Sequence, residues 1–142
     1  MRRLFIMRKD LNMSPGKLAA QVAHCAEAYW TKKFMDGVLV SFDNEKVVAK
    51  VTVSTDVFYD YIDASFVKTI CEAKNKNHLL KARDKALELG LVEDEDFGLI
   101  RDNCLTELEP EDEDGRTLTG IWFKPLPDDV AHEISKKYQL YK

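Results

Sequence analysis

The sequence is poor in cysteine, with only Cys25, Cys71 and Cys104 among 142 residues. They are odd in number, scattered, and form no CxxC pair. That excludes a disulfide framework and a thiolate zinc site, and it fits a reducing, cytoplasmic compartment. Long apolar runs are missing as well. The N-terminal "MRRLFIMRKD" holds a short apolar stretch between charges, too brief and interrupted for a signal peptide or a spanning helix, so no membrane association is expected. No internal repeat and no low-complexity linker divides the chain. Positive charge is not in excess either: a formal net charge of −4 argues against an indiscriminate nucleic-acid binder.

What is present is enough for one core. With 45% hydrophobic and 32% charged residues, the chain reads as a single domain over 1–142. Charge is unevenly spread. Residues 1–35 hold Arg2, Arg3, Arg8, Lys9, Lys17, Lys32 and Lys33 against Asp10 and Glu27, a local +5, and the remainder carries −9. A basic end on an acidic body permits a local phosphate contact, or it is an asymmetry of solvated surface charge.

The order of elements is legible. "LFIMR" (Leu4 to Arg8) reads as a buried strand. A helix is expected from Ser14 to about Phe34, with Ser14 as N-cap, Pro15 at the first helical position, and Leu18, Val22, Cys25 and Tyr29 on one face. Ala19, Ala20 and Ala23 are small enough to let that helix lie close to a sheet. "VLVSFDNEKVVAKVTV" predicts a hairpin about Asp43-Asn44. "FVKTICEA" reads as a strand, Asn77 to Leu89 as a helix ended by Gly90, "FGLIRD" and "TLTGIWF" as strands, and Pro127 to Lys137 as a closing helix. The alternation predicts an α/β domain: a mixed β-sheet of about four core strands flanked by helices, with a hairpin-like segment after the first helix.

Two stretches carry candidate chemistry. In "DLNMSPGKLAAQVAH" (Asp10 to His24), a lysine stands in the first turn of a helix, where the macrodipole favours an acid. Lys17, Gln21 and His24 then share one stripe, roughly 100° round from the apolar one. The stripe either lines a cleft or forms a solvent-facing polar face. In "LIRDNCLTEL" (Leu99 to Leu108), Asp102, Cys104 and Thr106 follow the end of a strand, where open α/β sheets bind ligands; an Asp-Asn turn with Thr106 capping its own backbone is the plainer alternative. Cys104 as a nucleophile needs a neighbouring base that the sequence does not place. The acidic runs "EDED" and "ELEPEDED" lack the ligand spacing and glycine of an EF-hand and read as solvated loops, so no metal and no cofactor are expected.

These stretches resemble the two signatures of the type II peptidyl-tRNA hydrolases. In that family a loop ending Met-Ser-any-Gly-Lys leads into a helix with Ala-Ala-Gln and a histidine, and an aspartate is followed by Ala-Gly, any residue and threonine. "FVKTICEAKNKNHLLKARDKALELGL" and "LTGIWFKPLPDDVAHEISKKYQLY" resemble the strands and helices that complete the family plan, in the right order. The resemblance implies hydrolysis of the ester joining a peptide to the terminal ribose of tRNA, with Lys17, Asp102 and Thr106 at the catalytic positions and a homodimeric assembly. Gln21, His24, Lys32 and Lys33 are the expected substrate-binding residues, with peptidyl-tRNA as partner. A tRNA-binding module without turnover, or a hydrolase of a smaller ester or amide, are the alternatives. Three departures from the family pattern stand out: residues 36–65 look like an insertion, Cys104 stands where glycine is usual, and Glu107 replaces glutamine and adds negative charge beside the site.

Overall fold

The structure, a computed structural model, describes all residues from Met1 to Lys142. Its central strand is β1 (Arg2–Arg8), buried along its whole length after Arg2 because it is covered on both faces. Leu4 and Ile6 point to one face and Phe5 and Met7 to the other, the period of two that a strand imposes. The continuous apolar run is therefore the signature of a strand covered on both faces.

Around β1 the sheet has the order β5-β6-β1-β4-β7, with β4 at Val67–Ala73, β5 at Phe97–Asp102, β6 at Thr117–Phe123 and β7 at Gln139–Leu140. β4 runs parallel to β1; β6 is antiparallel to β1, and β5 is antiparallel to β6. The C-terminal ends of β1, β4 and β5 thus share one rim. Helix α1 (Pro15–Met35) covers one face through Cys25 and Tyr29 against Phe5, Met7 and Trp122. Helices α2 (Lys76–Glu88) and α3 (Asp128–Ser135) cover the other through Leu79, Ala82, Ala86, Ala131 and Ile134. No helix is long and apolar enough to cross a membrane.

The mixed α/β architecture and each expected helix and strand agree with the sequence reading to within a few residues. The sheet has a fifth strand, because Gln139–Leu140 bonds antiparallel to Cys71 and Glu72 of β4; two residues are too few to leave a periodic pattern. Ala19, Ala20 and Ala23 do not face the sheet but are exposed. The close approach of α1 is made instead at Gly120, where a Cβ would fall 2.7 Å from the Met7 side chain and 3.3 Å from Cys25 Sγ. Ala19 and Ala23 flank an apolar groove of about 570 Å³ reaching Ile70 and Tyr141.

The basic N-terminal segment is not uniformly a surface patch. Arg3 is fully buried. Its guanidinium donates to the carbonyls of Phe123 (2.6 Å), Cys25 (3.2 Å) and Ala26 (3.3 Å), stapling β6 and α1 to β1 without a carboxylate. Burial pushes its pKa down to about 10. Arg8 is buried too and pairs with Glu111 (2.6 Å) and Asp10 (2.8 Å). Both cations are consumed inside the fold, so neither is offered to a phosphate.

Residues 36–65 add no strand to the main sheet. They form the expected hairpin, β2 (Val38–Phe42) with β3 (Val47–Lys50), and then a π-helical segment, Val57–Ser65. That segment buries Val57 and Tyr61, placing the Tyr61 phenol beside Arg3.

Candidate active site

The site is assembled where the first turn of α1 meets the C-terminal end of β5. Ser14 caps the helix, its Oγ accepting from Lys17 N at 3.2 Å, and Pro15 opens the first turn at no cost in hydrogen bonds. Lys17 then reaches across to the sheet rim, where its Nζ donates to Asp102 Oδ1 (2.7 Å) and Thr106 Oγ1 (3.1 Å). One turn further along, Gln21 Nε2 donates to the same Oδ1 at 3.2 Å. The other carboxylate oxygen, Oδ2, accepts from the Cys104 backbone N–H at 3.0 Å. The Lys17 and Asp102 side chains are only 12% and 11% exposed, so their attraction is weakly screened.

Counting valences shows what remains free. A carboxylate offers about four lone-pair sites and an ammonium three protons. Asp102 accepts three hydrogen bonds and Lys17 donates two, which leaves one acceptor and one donor of the pair unused. An acceptor able to take a proton from water next to a cation able to receive a developing negative charge is the minimum for ester or amide hydrolysis.

The family model described as Peptidyl-tRNA hydrolase PTH2 matches residues 1–141. The chain belongs to this family. Among similar proteins named Peptidyl-tRNA hydrolase, that of Thermoplasma acidophilum is 25% identical over 134 residues, covering 94% of this chain and 92% of the relative. That of Sulfolobus acidocaldarius is 28% identical over 141 residues, covering 99% of each. A solved structure of a protein of unknown function from Agrobacterium tumefaciens superposes with a TM-score of 0.55 at 10% identity, over 99% of this chain and 97% of that one, a likeness of fold alone.

Within this PTH2 domain, four of the residues singled out in the sequence come together: Lys17, Gln21, Asp102 and Thr106. Three do not. His24 is exposed and lines a shallow hollow of about 520 Å³ with Lys32, Arg101 and Asn103. Lys32 pairs with Asp36 (2.6 Å) and Glu95 (3.2 Å), and Lys33 lies 5.5 Å from the Tyr29 ring centre. Within the mostly exposed acidic runs, Asp96 pairs with Lys124, Glu111 with Arg8, Asp112 with Lys76 and Asp114 with Arg116.

One site residue escaped the sequence reading, and a second was read there only as added negative charge beside the site. Thr119 is fully buried and donates to Gln21 Oε1 at 2.6 Å, which fixes the amide with its Nε2 toward Asp102. A register shift between Ile100 and Arg101 gives β6 an extra residue at this level, and only pairing geometry reveals it. The second is Glu107. Its carboxylate accepts from Ser14 N (2.9 Å) and Ser14 Oγ (2.6 Å), and these bonds hold it below the usual carboxylate range. Helix α1 has no acid in its first turn. Glu107 supplies that negative charge from the neighbouring loop, and it ties the loop that carries Thr106 to the turn that carries Lys17.

Cys104 sits at φ +58°, in the left-handed region that glycine enters freely. Its thiol donates to the Asp102 carbonyl at 3.5 Å, and its contribution to the site is the backbone N–H. Cys104→Gly keeps that N–H and relieves a strain of roughly 1–2 kcal/mol, part of which the entropy of glycine cancels. The expected result is a melting temperature raised by about 2–4 °C in thermal denaturation, with turnover retained or increased. A dead variant, with an acyl-enzyme trapped on the parent thiol, would make Cys104 a nucleophile.

Proposed function

We propose that this chain hydrolyses the ester between the C-terminus of a peptide and the terminal ribose of tRNA, releasing both. The observation that carries the reading is the convergence of Lys17, Gln21, Thr106 and the Cys104 N–H on one carboxylate, with an acceptor and a donor left free. In this scheme Asp102 orients a water and takes its proton as the water oxygen attacks the ester carbonyl. The Lys17 ammonium receives the negative charge that grows on the carbonyl oxygen. Collapse of the tetrahedral intermediate expels the ribose oxygen, which recovers the proton from Asp102. Thr106 orients the ammonium; Gln21 and Thr119 orient the carboxylate. The direct test is release of peptide from purified peptidyl-tRNA by the purified chain. Because a carboxylate alone activates the water, EDTA leaves the rate unchanged; a loss restored by a divalent cation would refute that.

Thr119 acts through Gln21 rather than on substrate. Thr119→Val removes the hydroxyl and keeps the shape, so the rate constant for release is expected to fall about 10-fold with KM unchanged, and Thr119→Ser is expected to restore it. An equal loss in both variants, or a change confined to KM, would assign Thr119 to packing or binding.

The tRNA backbone is proposed to run along α1 from Lys17 toward His24, Lys32 and Lys33, about 22–24 Å at 1.5 Å per residue. Solvent-exposed pairs such as Lys32 with Asp36 and Glu95 are weak, so a phosphate can displace the carboxylates cheaply. Lys32→Glu with Lys33→Glu is expected to weaken tRNA binding and flatten its salt dependence, while a minimal peptidyl-nucleotide ester is cleaved at the parent rate. Equal damage to both substrates would tie these lysines to the site or the fold. No effect on either would move the path to another face. The protein is further proposed to work in the cytoplasm as a homodimer, with residues 36–65 as an addition to the family plan.

A further inference from the structure

The flank of α1 opposite the catalytic pair holds the apolar groove of about 570 Å³ that separates this helix from β4, and eight of its ten lining residues are hydrophobic. Leu18 and Val22 form the helix wall, the exposed Ala19 and Ala23 keep it wide, and Ile70 of β4 forms the floor. Leu18, Val22 and Ile70 are only half-buried, so each leaves apolar surface in contact with water.

The floor also carries unused main-chain groups. Strand β7 covers β4 only opposite Cys71 and Glu72, and beyond it the Ile70 carbonyl takes the Tyr141 N–H at 3.0 Å. Ile70 therefore turns its peptide groups to the outer edge, and by the alternation of a strand so does Lys68, which has no strand beside it. The Lys68 ammonium does not shield this edge, because it donates to the Phe66 carbonyl and lies over the Phe66 ring. An apolar trough bordered by an open strand edge suits an extended peptide: the main chain bonds to the edge, and alternate side chains enter the trough.

The position of the groove names that peptide. Helix α1 runs back from the rim, so the groove opens at Pro15 and Leu18, in the same turn as Lys17. β5 and β4 lie on opposite sides of β1, so a path from Asp102 to the groove crosses the first turn of α1. Pro15 and Gly16 are exposed there, and a Cβ on Gly16 would meet nothing within 4 Å, which leaves the crossing unobstructed. A helix is about 10–12 Å across with its side chains, and an extended peptide advances about 3.3 Å per residue. About four residues of a peptide esterified beside Lys17 span the turn, and those beyond them reach the trough.

We propose that the groove between α1 and β4 binds the peptide part of the substrate as an extended chain, from about the fifth residue before the ester, with apolar side chains at alternate positions in the trough. The proposal rests on the ester hydrolysis proposed above. Release is to be compared for two substrates on the same tRNA, an acetylated single amino acid and an acetylated octapeptide of alternating leucine and serine. The single amino acid ends before the groove. The octapeptide is expected to show a KM about 10-fold lower at equal kcat, because the added contacts are the same in ground and transition states. Ala19→Gln and Ala23→Gln each place a neutral polar amide in the trough from an exposed helix position. Both are expected to erase most of that difference, while the single-residue substrate keeps the parent KM and kcat. Equal KM values in the parent, or variants that retain the difference, would overturn the groove and leave the hydrolysis standing. Equal damage to both substrates would overturn it too, placing the alanines in the site or the fold. A parent that releases neither substrate would overturn both readings. The free octapeptide is also expected to shift the amide resonances of Ala19, Ala23 and Lys68. Shifts that follow protein concentration without peptide would give the groove to a second copy of the chain and overturn the proposal.

Discussion

Asp102→Asn is expected to lower peptide release by about 10²-fold or more, the scale on which a general base is lost. The substitution keeps shape and volume but replaces one oxygen by an amide nitrogen. Either the nitrogen faces Lys17 and Gln21, whose two donors then meet a donor, or it faces the Cys104 N–H and the attacking water, where no proton can be taken. Both orientations break the site. The fold is expected to survive, because the Lys17 ammonium keeps Thr106 Oγ1 as an acceptor. Single-turnover release measured beside a thermal melt separates the two effects. A variant of parent activity would remove Asp102 from the mechanism.

Lys17→Ala is expected to cost about 10²–10³-fold in turnover, the loss seen when one donor to a developing oxyanion is removed, while the fold survives because Asp102 keeps its Gln21 and Cys104 N–H donors. Opposing effects act on stability. A lysine in the first turn is repelled by the positive helix end by roughly 0.3–1 kcal/mol, and removing it relieves this while the bond to Asp102 is lost. A helix-stabilising change that abolishes activity is the mark of a residue held in place for chemistry rather than for the fold. Combined with Asp102→Asn it should add little further loss, because the two residues act as one unit. Parent activity in Lys17→Ala would leave the pair a structural ion pair. A large drop in melting temperature would locate its role in the fold.

The order of helices and strands was readable in the linear chain because each element carries its own local signal. Ser14 and Pro15 start α1 through bonds within one turn. β1 announces burial on both faces by its apolar run. Gly90 ends α2 at φ +84°, which few other residues adopt. The pairing of Lys17 with Asp102 and Thr106 was legible only because two separate motifs resembled the signatures of one family. Spacing in each left a plainer alternative open, and 85 residues lie between the partners Lys17 and Asp102.

Tertiary structure alone decided the rest. Arg3 and Arg8 look like surface charge in the sequence, yet they are buried because β1 is the middle strand and the carbonyls and carboxylates of other elements close around them. Glu107 reads as a repulsive charge near a polyanion site until Ser14 is seen to take both its oxygens. Thr119 gains its role from a register shift on β6, which has no trace in residue order. What the sequence by itself determined was local: caps, periodicities, turns and the residue types available for chemistry. Which polar groups meet depends on strand order, register and the approach of α1 at Gly120. Those are set by contacts between residues far apart in the chain, where no single segment holds the information.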